Sequence, residues 1–296
     1  MYNMMPDRDG PVNVPHCHRP MRWLWGSDLI RWVHIMEQGE YYERGLTSLF
    51  HRLLSSNDTN TTRPPPLVLD IGMNVGWFSL YSRAHGHEVA SFEPNPTMFL
   101  RMCESLEYNN WREDDGWISL WNYGLGSTPG VFNLTLGKNP GASSFHEENL
   151  APEHRRTMPV RVATLDSIAM MRGWLDRRIP LAKVDVEGFE DQVIEGGKRL
   201  ILNGNVENII MENGNKNITT LGLMLDTLYD AGYRLKEILT VNGDPYHEDW
   251  WHTFNPALEE RRKAGEAAAV SDQLAFLAKV TCNIWWQHKR IASDDV

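Results

Sequence analysis

The chain alternates between short runs of apolar residues and longer stretches in which apolar residues recur every three or four positions. The short runs predict buried strands, and the longer period predicts helices that cover both faces of a parallel sheet. The predicted fold class is therefore α/β, with a seven-stranded, mostly parallel, Rossmann-like sheet. The predicted strands are Leu67–Ile71, Glu88–Phe92, Trp117–Asn122, Leu181–Val186, Val206–Met211, Tyr233–Ile238 and Val280–Trp285.

Three segments depart from this alternation. Around residues 131–162, the runs VFNLTL and PVRVATL predict a β-rich insertion after the third strand. Residues 243–272 are a second segment that does not follow the alternation of strands and helices. The polar run SSNDTNTTRPPP, before Leu67, predicts a surface connection, because three successive prolines cannot lie in a central strand. We therefore divide the chain into an N-terminal extension, residues 1–66, which is partly helical and could act as a lid, and a main domain, residues 67–296.

Charge and cysteine usage narrow the range of partners and compartments. The formal net charge is -10, and no run of Lys or Arg is long enough to form a basic arm that binds nucleic acid or a basic patch that binds a membrane. We therefore expect neither nucleic acid nor a membrane as a partner. The three cysteines lie far apart and form no CxxC pair, which predicts no disulfide framework and favours a reducing compartment. With no apolar run long enough to span a membrane, we expect a cytoplasmic protein. A secretory lumen stays open if an N-terminal anchor precedes this chain.

A glycine-containing turn follows the first predicted strand. It reads D-x-G-x-N-x-G, with Asp70, Gly72, Asn74 and Gly76. A carboxylate about 4 Å from a phosphate would cost about 4 kcal/mol at an effective dielectric constant near 20, which argues against a dinucleotide. S-adenosylmethionine carries an ammonium and a sulfonium and no phosphate, so it suits this turn better. The alternative is a tight strand-to-helix turn that binds nothing.

Further candidate residues for donor binding follow the second and third predicted strands. Glu93 comes 23 residues after Asp70, close to the spacing of about 20 residues at which an acidic side chain meets ribose hydroxyls. Asn95 is expected nearby and can cap the next helix. Asn122 and Tyr123 follow the third strand, where they could bond to or stack on an adenine.

A second set of ionisable residues ends the fourth predicted strand. Lys183, Asp185 and Glu187 alternate with period two, which predicts that they share one face near the carboxyl end, where open α/β sheets bind ligands. The carboxylates could orient and deprotonate an acceptor hydroxyl, or bind a divalent cation that does so. The alternative is an internal ion pair of Lys183 with an acid, with Glu187 and Glu190 placed favourably at the N-terminus of the next helix.

The sequence resembles the FkbM family of S-adenosylmethionine-dependent methyltransferases. The resemblance rests on six motifs in order, VLDIGMNVGWFSL, SFEPNP, NYGLGS, VRVATLDSI, LAKVDVEGFEDQVIEGG and NIIMENG, over roughly residues 67–214. It implies a class I methyltransferase sheet, a donor site over Asp70, Gly72, Asn74, Gly76 and Glu93, and O-methylation of a sugar or a natural product. One departure is Met73, where the family usually has alanine.

Two other functional classes compete with this hypothesis. A noncatalytic binding module could keep the same fold as a scaffold, although acids at all three strand ends argue against a decayed site. A nicotinamide-dependent oxidoreductase is disfavoured by Asp70 and by the spacing of its turn. The acceptor, the need for a metal and the oligomeric state stay open.

Overall fold

A computed structural model describes residues 43–55, 65–112, 115–137, 143–145, 156–213, 217–240, 243–246, 250–264 and 272–292. Within these ranges, the main sheet contains β1 (Leu67–Ile71), β2 (Glu88–Phe92), β3 (Ile118–Trp121), β8 (Leu181–Val184), β9 (Asn208–Asn213), β10 (Tyr233–Leu239) and β11 (Cys282–His288). A smaller sheet contains β4 (Gly124–Leu125), β5 (Gly130–Leu136), β6 (Ser143–Ser144) and β7 (Arg156–Ala163).

The main sheet is mixed. Its strand order is β10-β11-β9-β8-β1-β2-β3. The pairs from β9 to β3 are all parallel, whereas β11 pairs antiparallel with both of its neighbours. The α/β class is therefore confirmed. The strand that runs antiparallel to its neighbours is β11, which is the last described strand along the chain. The strand order reverses between β8 and β2, on either side of β1, which is where ligands bind in open sheets of this kind.

Helices connect these strands and cover the sheet. They are α1 (Arg44–Leu54), α2 (Trp77–Ala84), α3 (Pro96–Tyr108), α4 (Leu165–Arg172), α5 (Glu190–Gly196), α6 (Lys198–Leu202), α7 (Ile218–Asp230), α8 (Trp250–Ala264), α9 (Asp272–Leu277) and α10 (Lys289–Ala292). The central strands β1 and β8 are buried at every residue, as expected for strands that are covered on both faces.

The predicted β-rich insertion is present as the smaller sheet, with strand order β4-β7-β5-β6. The pair of β5 and β7 is antiparallel and extends over seven residues, from Gly130 opposite Val162 to Leu136 opposite Arg156. The strand β4 begins three residues after β3 ends. The smaller sheet therefore starts at the carboxyl edge of the main sheet and brings its side chains there.

The helix α1 packs directly on the main sheet. Its Leu46 and Phe50 are buried in one cluster with Val68 of β1 and Leu181 of β8. The helical part of the predicted N-terminal extension therefore shares the core of the main domain. Residues 1–42 and 56–64 of that extension lie outside the described residues, so its role as a lid stays a prediction.

The helical segment that follows the turn after β8 is not continuous. The structure divides it into α5 and α6 at Gly197. A Cβ atom added to the preceding Gly196 would lie 2.0 Å from the carbonyl oxygen of Gly126. The end of α5 therefore presses backbone to backbone on the chain after β4, and its helical period does not continue through that contact.

The cysteines differ from the sequence prediction. Cys103 is disulfide-bonded, whereas Cys282 is free and buried. One disulfide-bonded cysteine is not a disulfide framework, but this bond was not predicted from the sequence. Disulfides persist mainly in oxidising compartments, and the cytoplasmic location stays a prediction. In the described part of the chain, no helix is both long and apolar enough to cross a membrane.

Candidate functional site

A cavity lies at the carboxyl edge of the main sheet, beside the ends of β1, β2 and β8. The space between its walls is about 570 Å³ when its open mouth is included. Its polar lining residues are Asn74, Glu93, Tyr123, Ser143, Asp185 and Glu187, and its apolar wall includes Phe92, Leu125, Leu134 and Phe145. The cavity thus combines an apolar surface with carboxyl groups, and none of the described lining residues is a lysine or an arginine.

The first wall of the cavity is the turn between β1 and α2. Gly72 has φ of 80°, and a Cβ atom there would lie only 1.7 Å from the carbonyl oxygen of Asp185. Asn74 also adopts a left-handed conformation, with φ of 53°, which asparagine tolerates better than most residues. This turn and the turn after β8 therefore meet backbone to backbone, and only glycine fits at the meeting point.

Glu93, at the end of β2, joins the two sides of the first turn. Its Oε2 accepts a hydrogen bond from the backbone N–H of Asn74 at 3.0 Å, and its Oε1 accepts one from the N–H of Asn95 at 2.8 Å. Burial raises the pKa of Glu93 to about 8, against the opposing effect of these two donors. The carboxyl group is thus fixed in place and still lines the cavity, as required of a group that accepts ribose hydroxyls.

Asp70 does not line the cavity. Its side chain is fully buried, and its Oδ2 accepts a 2.5 Å hydrogen bond from the Ser79 hydroxyl, which also bonds to the Ser91 hydroxyl at 2.7 Å. Burial raises the pKa of Asp70, whereas the charge of Lys183 lowers it. The predicted direct contact of this carboxylate with a ligand does not match its position. In this structure it ties β1 to α2 beneath the turn.

Gly76 also does not line the cavity, and it allows two helices to pack closely. It has φ of 90°, and a Cβ atom there would lie 2.1 Å from the Sδ of Met102 in α3. Met102 belongs to a buried cluster that includes Met73 and Phe99. The methionine that departs from the family pattern therefore fills the space beneath the turn, and Gly76 lets α2 begin close to α3.

The predicted adenine residues have separate roles. Tyr123 lines the cavity, and its contact with an adenine stays a prediction. Asn122 is buried, and its amide donates to the carbonyl oxygens of Glu93 at 2.7 Å and Pro94 at 3.3 Å. Asn95 is buried as well, and its Oδ1 accepts from the N–H of Thr97, so it is the residue that caps α3. Both asparagines fix the chain around Glu93 and do not line the cavity.

The second wall of the cavity is the turn between β8 and α5. Lys183 is buried, and its Nζ lies 2.8 Å from Oδ2 of Asp185. Burial alone would lower the pKa of Lys183, but the charges of Asp185 and Asp70 outweigh burial and raise it. Lys183 therefore stays protonated and acts as a counter-ion. The predicted internal ion pair is present, and a role for this lysine as a proton carrier is not compatible with it.

Three carboxyl groups meet beside this ion pair. One oxygen each of Asp185, Glu187 and Glu212 lies within 4.8 Å of the others. Burial and the charge of Asp185 raise the pKa of Glu187 to about 7 and that of Glu212 to about 10. Lys183 balances one negative charge, and three negative charges at such distances would need more than this one cation. The group therefore retains a proton at neutral pH or takes a cation; a divalent cation here stays a prediction.

The strand pattern explains only part of this arrangement. The strand β8 ends at Val184, so Asp185 and Glu187 lie in the turn and do not alternate along the strand as predicted. Glu187 reaches the others because it adopts a left-handed conformation, with φ of 54°. Glu190 is fully buried, and its Oε1 accepts from the N–H groups of Val186 and Gly188, both at 3.1 Å. Glu190 thus holds the turn and takes no part in the lining.

The smaller sheet supplies a third wall, which the sequence reasoning missed. Leu134 of β5, Ser143 of β6 and the adjacent Phe145 all line the cavity. The rings of Phe145 and Phe189 pack with their centres 4.8 Å apart. A single aromatic residue within the polar segment GKNPGASSFHEE is the one signal that could have indicated a buried contact. Glu212 of β9 was predicted with Asp70 and Glu93 as an acid that holds the cationic donor, and the structure places it beside Asp185 and Glu187 instead.

Comparison with known proteins gives a consistent family. The family described as the methyltransferase FkbM domain matches residues 70–235, which is more than half of the chain. The chain is 28% identical over 158 residues to the methyltransferase sdnD of Sordaria araneosa. That match covers 44% of this chain and 60% of the relative, so it leaves a large part of the relative unmatched.

Solved structures of methyltransferases are also similar to this chain. A methyltransferase FkbM from Methylobacillus flagellatus matches with 14% identity and a TM-score of 0.41, over 88% of this chain and 60% of that protein. A TehB-like methyltransferase from Corynebacterium glutamicum matches with 10% identity and a TM-score of 0.35, over 88% and 96% of the two chains.

Proposed function

The chain belongs to the FkbM methyltransferase family, and we propose that it transfers a methyl group from S-adenosylmethionine to a hydroxyl group of a sugar or a small natural product. The observation that carries the proposal is that the fixed carboxyl group of Glu93, on the first wall, and the carboxyl groups of Asp185 and Glu187, on the second wall, line the same cavity. Glu93 would hold the donor, and the acids would face the acceptor.

The lining chemistry fits this donor. The described lining contains no basic side chain to bind a pyrophosphate, and a pyrophosphate would oppose the ionisation of the carboxyl groups of Glu93, Asp185 and Glu187. A cationic ligand would have the opposite effect and favour their ionised forms. They would attract the ammonium and sulfonium groups of S-adenosylmethionine. The acids therefore disfavour a nicotinamide dinucleotide. The apolar surface near Tyr123 and Leu125 suits the adenine ring of the donor. When bound, S-adenosylmethionine would supply an electrophilic methyl group on a positively charged sulfur.

The residues of this chain would manage the proton that the acceptor hydroxyl loses. The new C–O bond would form as the methyl C–S bond of the donor breaks, with S-adenosylhomocysteine as the leaving group, and the hydroxyl proton would have to pass to a base. Glu187 lines the cavity with a pKa raised to about 7. A carboxyl group with that pKa is half ionised near neutral pH and can pass the proton on to water. Asp185, held by Lys183 at 2.8 Å, would orient the hydroxyl. Methyl transfer needs this alignment more than it needs a strong base.

A transfer assay with methyl-labelled S-adenosylmethionine would test the proposal. The acceptors would be a panel of methyl glycosides, polyols and hydroxylated natural products. The wild-type protein would be compared with the test variant Glu187→Gln and with the exposed Glu104→Gln as its control. We expect label on at least one acceptor, with the rate about 10²–10⁴-fold lower for Glu187→Gln and unchanged for Glu104→Gln. Donor binding without transfer to any acceptor would favour the noncatalytic scaffold instead.

A further inference from the structure

The short strand β6 and the residue after it, Ser143–Phe145, extend along the third wall of the cavity. We name this segment the strap. It pairs antiparallel with β5, with Leu136 opposite Ser143 and Thr135 opposite Ser144. Ser144 is only 2% exposed although it carries a hydroxyl group. A hydroxyl buried in this way needs a hydrogen-bond partner, and its partner indicates what the strap does.

One side of the strap contacts the donor half of the cavity. The Asn95 amide donates to the Ser143 hydroxyl oxygen at 3.1 Å, and the backbone N–H of Asn95 donates to Glu93 at 2.8 Å. Because Asn95 is itself buried and caps α3, this attachment is anchored in the body of the domain. The strap therefore begins from a fixed point beside the proposed ribose site.

The other side of the strap contacts the acid half of the cavity. The Ser144 hydroxyl donates to the backbone carbonyl oxygen of Glu187 at 2.8 Å, and Phe145 packs on Phe189 on the far side of the same turn. A left-handed conformation costs a residue with a side chain about 1–2 kcal/mol, so the φ of 54° at Glu187 must be held by its surroundings. The strap supplies such a contact at the residue that adopts the unfavourable conformation.

We propose that Ser144 is a positioning residue, whose hydroxyl holds the turn at Glu187 so that the carboxyl group of Glu187 faces the acceptor. The inference rests on the proposed function, in which Glu187 receives the acceptor proton. Ser144 itself does not line the cavity, and we infer that it acts through its hydrogen bond to the backbone of Glu187. The smaller sheet thereby becomes part of the catalytic apparatus and not merely a cover over the donor.

The test compares Ser144→Ala and Ser144→Thr with the wild-type protein. Ser105→Ala is a matched control, since the Ser105 hydroxyl also donates to a backbone carbonyl, at 3.0 Å, but within α3. The measurements are the Kd for S-adenosylhomocysteine by calorimetry, and kcat and KM for S-adenosylmethionine with the best acceptor of the panel. Hydrogen exchange of the peptide that contains Val186–Phe189 adds a local readout that needs no acceptor.

We expect Ser144→Ala to lower kcat about 10–100-fold, while the Kd and the KM for the donor stay within about twofold of wild type. Its exchange should rise at residues 186–189 and not at the turn around Asn74. Ser144→Thr, which keeps a hydroxyl, should restore both readouts, and Ser105→Ala should match wild type. If Ser144→Ala does not fold, Ser144→Cys replaces it, because a thiol of similar size is only a weak donor.

The proposal is overturned if Ser144→Ala keeps wild-type kcat and wild-type exchange at residues 186–189, or if its loss of kcat is matched by an equal loss of donor affinity. Failure of Ser144→Thr to restore kcat would also contradict it. These outcomes differ from a failure of the proposed function, in which the wild-type protein itself would neither bind S-adenosylhomocysteine nor methylate any acceptor. In that event the exchange measurement alone decides whether Ser144 holds the turn.

Discussion

Two neighbouring turns form two of the three walls of the cavity, and they differ in the partners that their carboxyl groups have. The turn after β1 and the turn after β8 each place one residue other than glycine in a left-handed conformation, Asn74 and Glu187. At the first turn, the carboxyl group of Glu93 has a backbone donor for each oxygen. At the second turn, Asp185, Glu187 and Glu212 crowd together with one lysine.

This difference suggests a division of labour between the turns. A carboxyl group with its partners in place before a ligand arrives is preorganised, so little has to be reordered when the ligand binds. A crowded group of carboxyl groups keeps its protons easily and changes its charge near neutral pH. We therefore assign binding to the first turn and proton handling to the second, and the predictions below test that assignment.

The largest effect is expected where the two turns touch. Gly72→Ala would place a Cβ atom 1.7 Å from the carbonyl oxygen of Asp185, whereas Gly86 has a similar φ of 82° and nothing within 4 Å. Gly86→Ala should therefore lose about 1–2 kcal/mol from the left-handed backbone alone. Gly72→Ala should lose more than about 3 kcal/mol, or fail to fold. Urea unfolding of both variants makes the comparison, and equal losses would show that the turns do not abut.

The next effect is expected in donor binding at the first turn. Glu93→Gln replaces one acceptor oxygen by an N–H donor, which would face the backbone N–H of Asn74 or Asn95. We expect the affinity for S-adenosylhomocysteine to fall about 10–100-fold, the usual range for a hydrogen bond to a charged group. Glu88→Gln, at the other end of β2, should leave it unchanged. Calorimetry decides, and unchanged affinity in Glu93→Gln would remove this residue from the donor site.

A smaller effect is expected in the pH dependence of stability at the second turn. An unfolded chain ionises its glutamates near the ordinary value of about 4–5. In the folded chain, burial raises the pKa of Glu212 to about 10, that of Glu187 to about 7 and, at the first turn, that of Glu93 to about 8. Between these limits the folded state binds more protons. Stability must therefore fall as the pH rises.

We expect the free energy of unfolding to decrease between pH 5 and pH 9, by on the order of 1–2 kcal/mol after screening by solvent. Glu212→Gln, which cannot ionise, should flatten this decrease, while the exposed Glu104→Gln should not. Urea unfolding at a series of pH values measures it. A wild-type stability that rises toward pH 9 would show that the acids are already ionised and that another cation balances them.

The sequence predicted those features that depend on local pattern. The strands around Leu69 and Ala182 are short apolar runs, and Asn95 precedes a helix with proline at its first position, which is a standard start signal. The two turns could be located because each combines glycine with acids directly after a strand. Their side-by-side position followed from the rule that parallel strands end at one edge of a sheet.

The sequence did not predict features that depend on contacts between distant segments. The direction of the Asp70 side chain depends on Ser79, which reaches it from α2. The need for glycine at position 76 comes from Met102 in another helix. The strap contacts Glu187 across 43 residues of chain, and no periodicity in either segment records that contact. These are packing relations, so only the folded structure displays them.

The most direct test of the donor assignment is a calorimetric titration of the wild-type chain with S-adenosylhomocysteine, with NADH titrated in parallel. We expect saturable binding of one S-adenosylhomocysteine per chain and no binding of NADH at the same concentrations, because the cavity presents carboxyl groups where a pyrophosphate would lie. Binding of NADH, or no binding of S-adenosylhomocysteine at millimolar concentration, would contradict the assignment of this cavity to a cationic methyl donor.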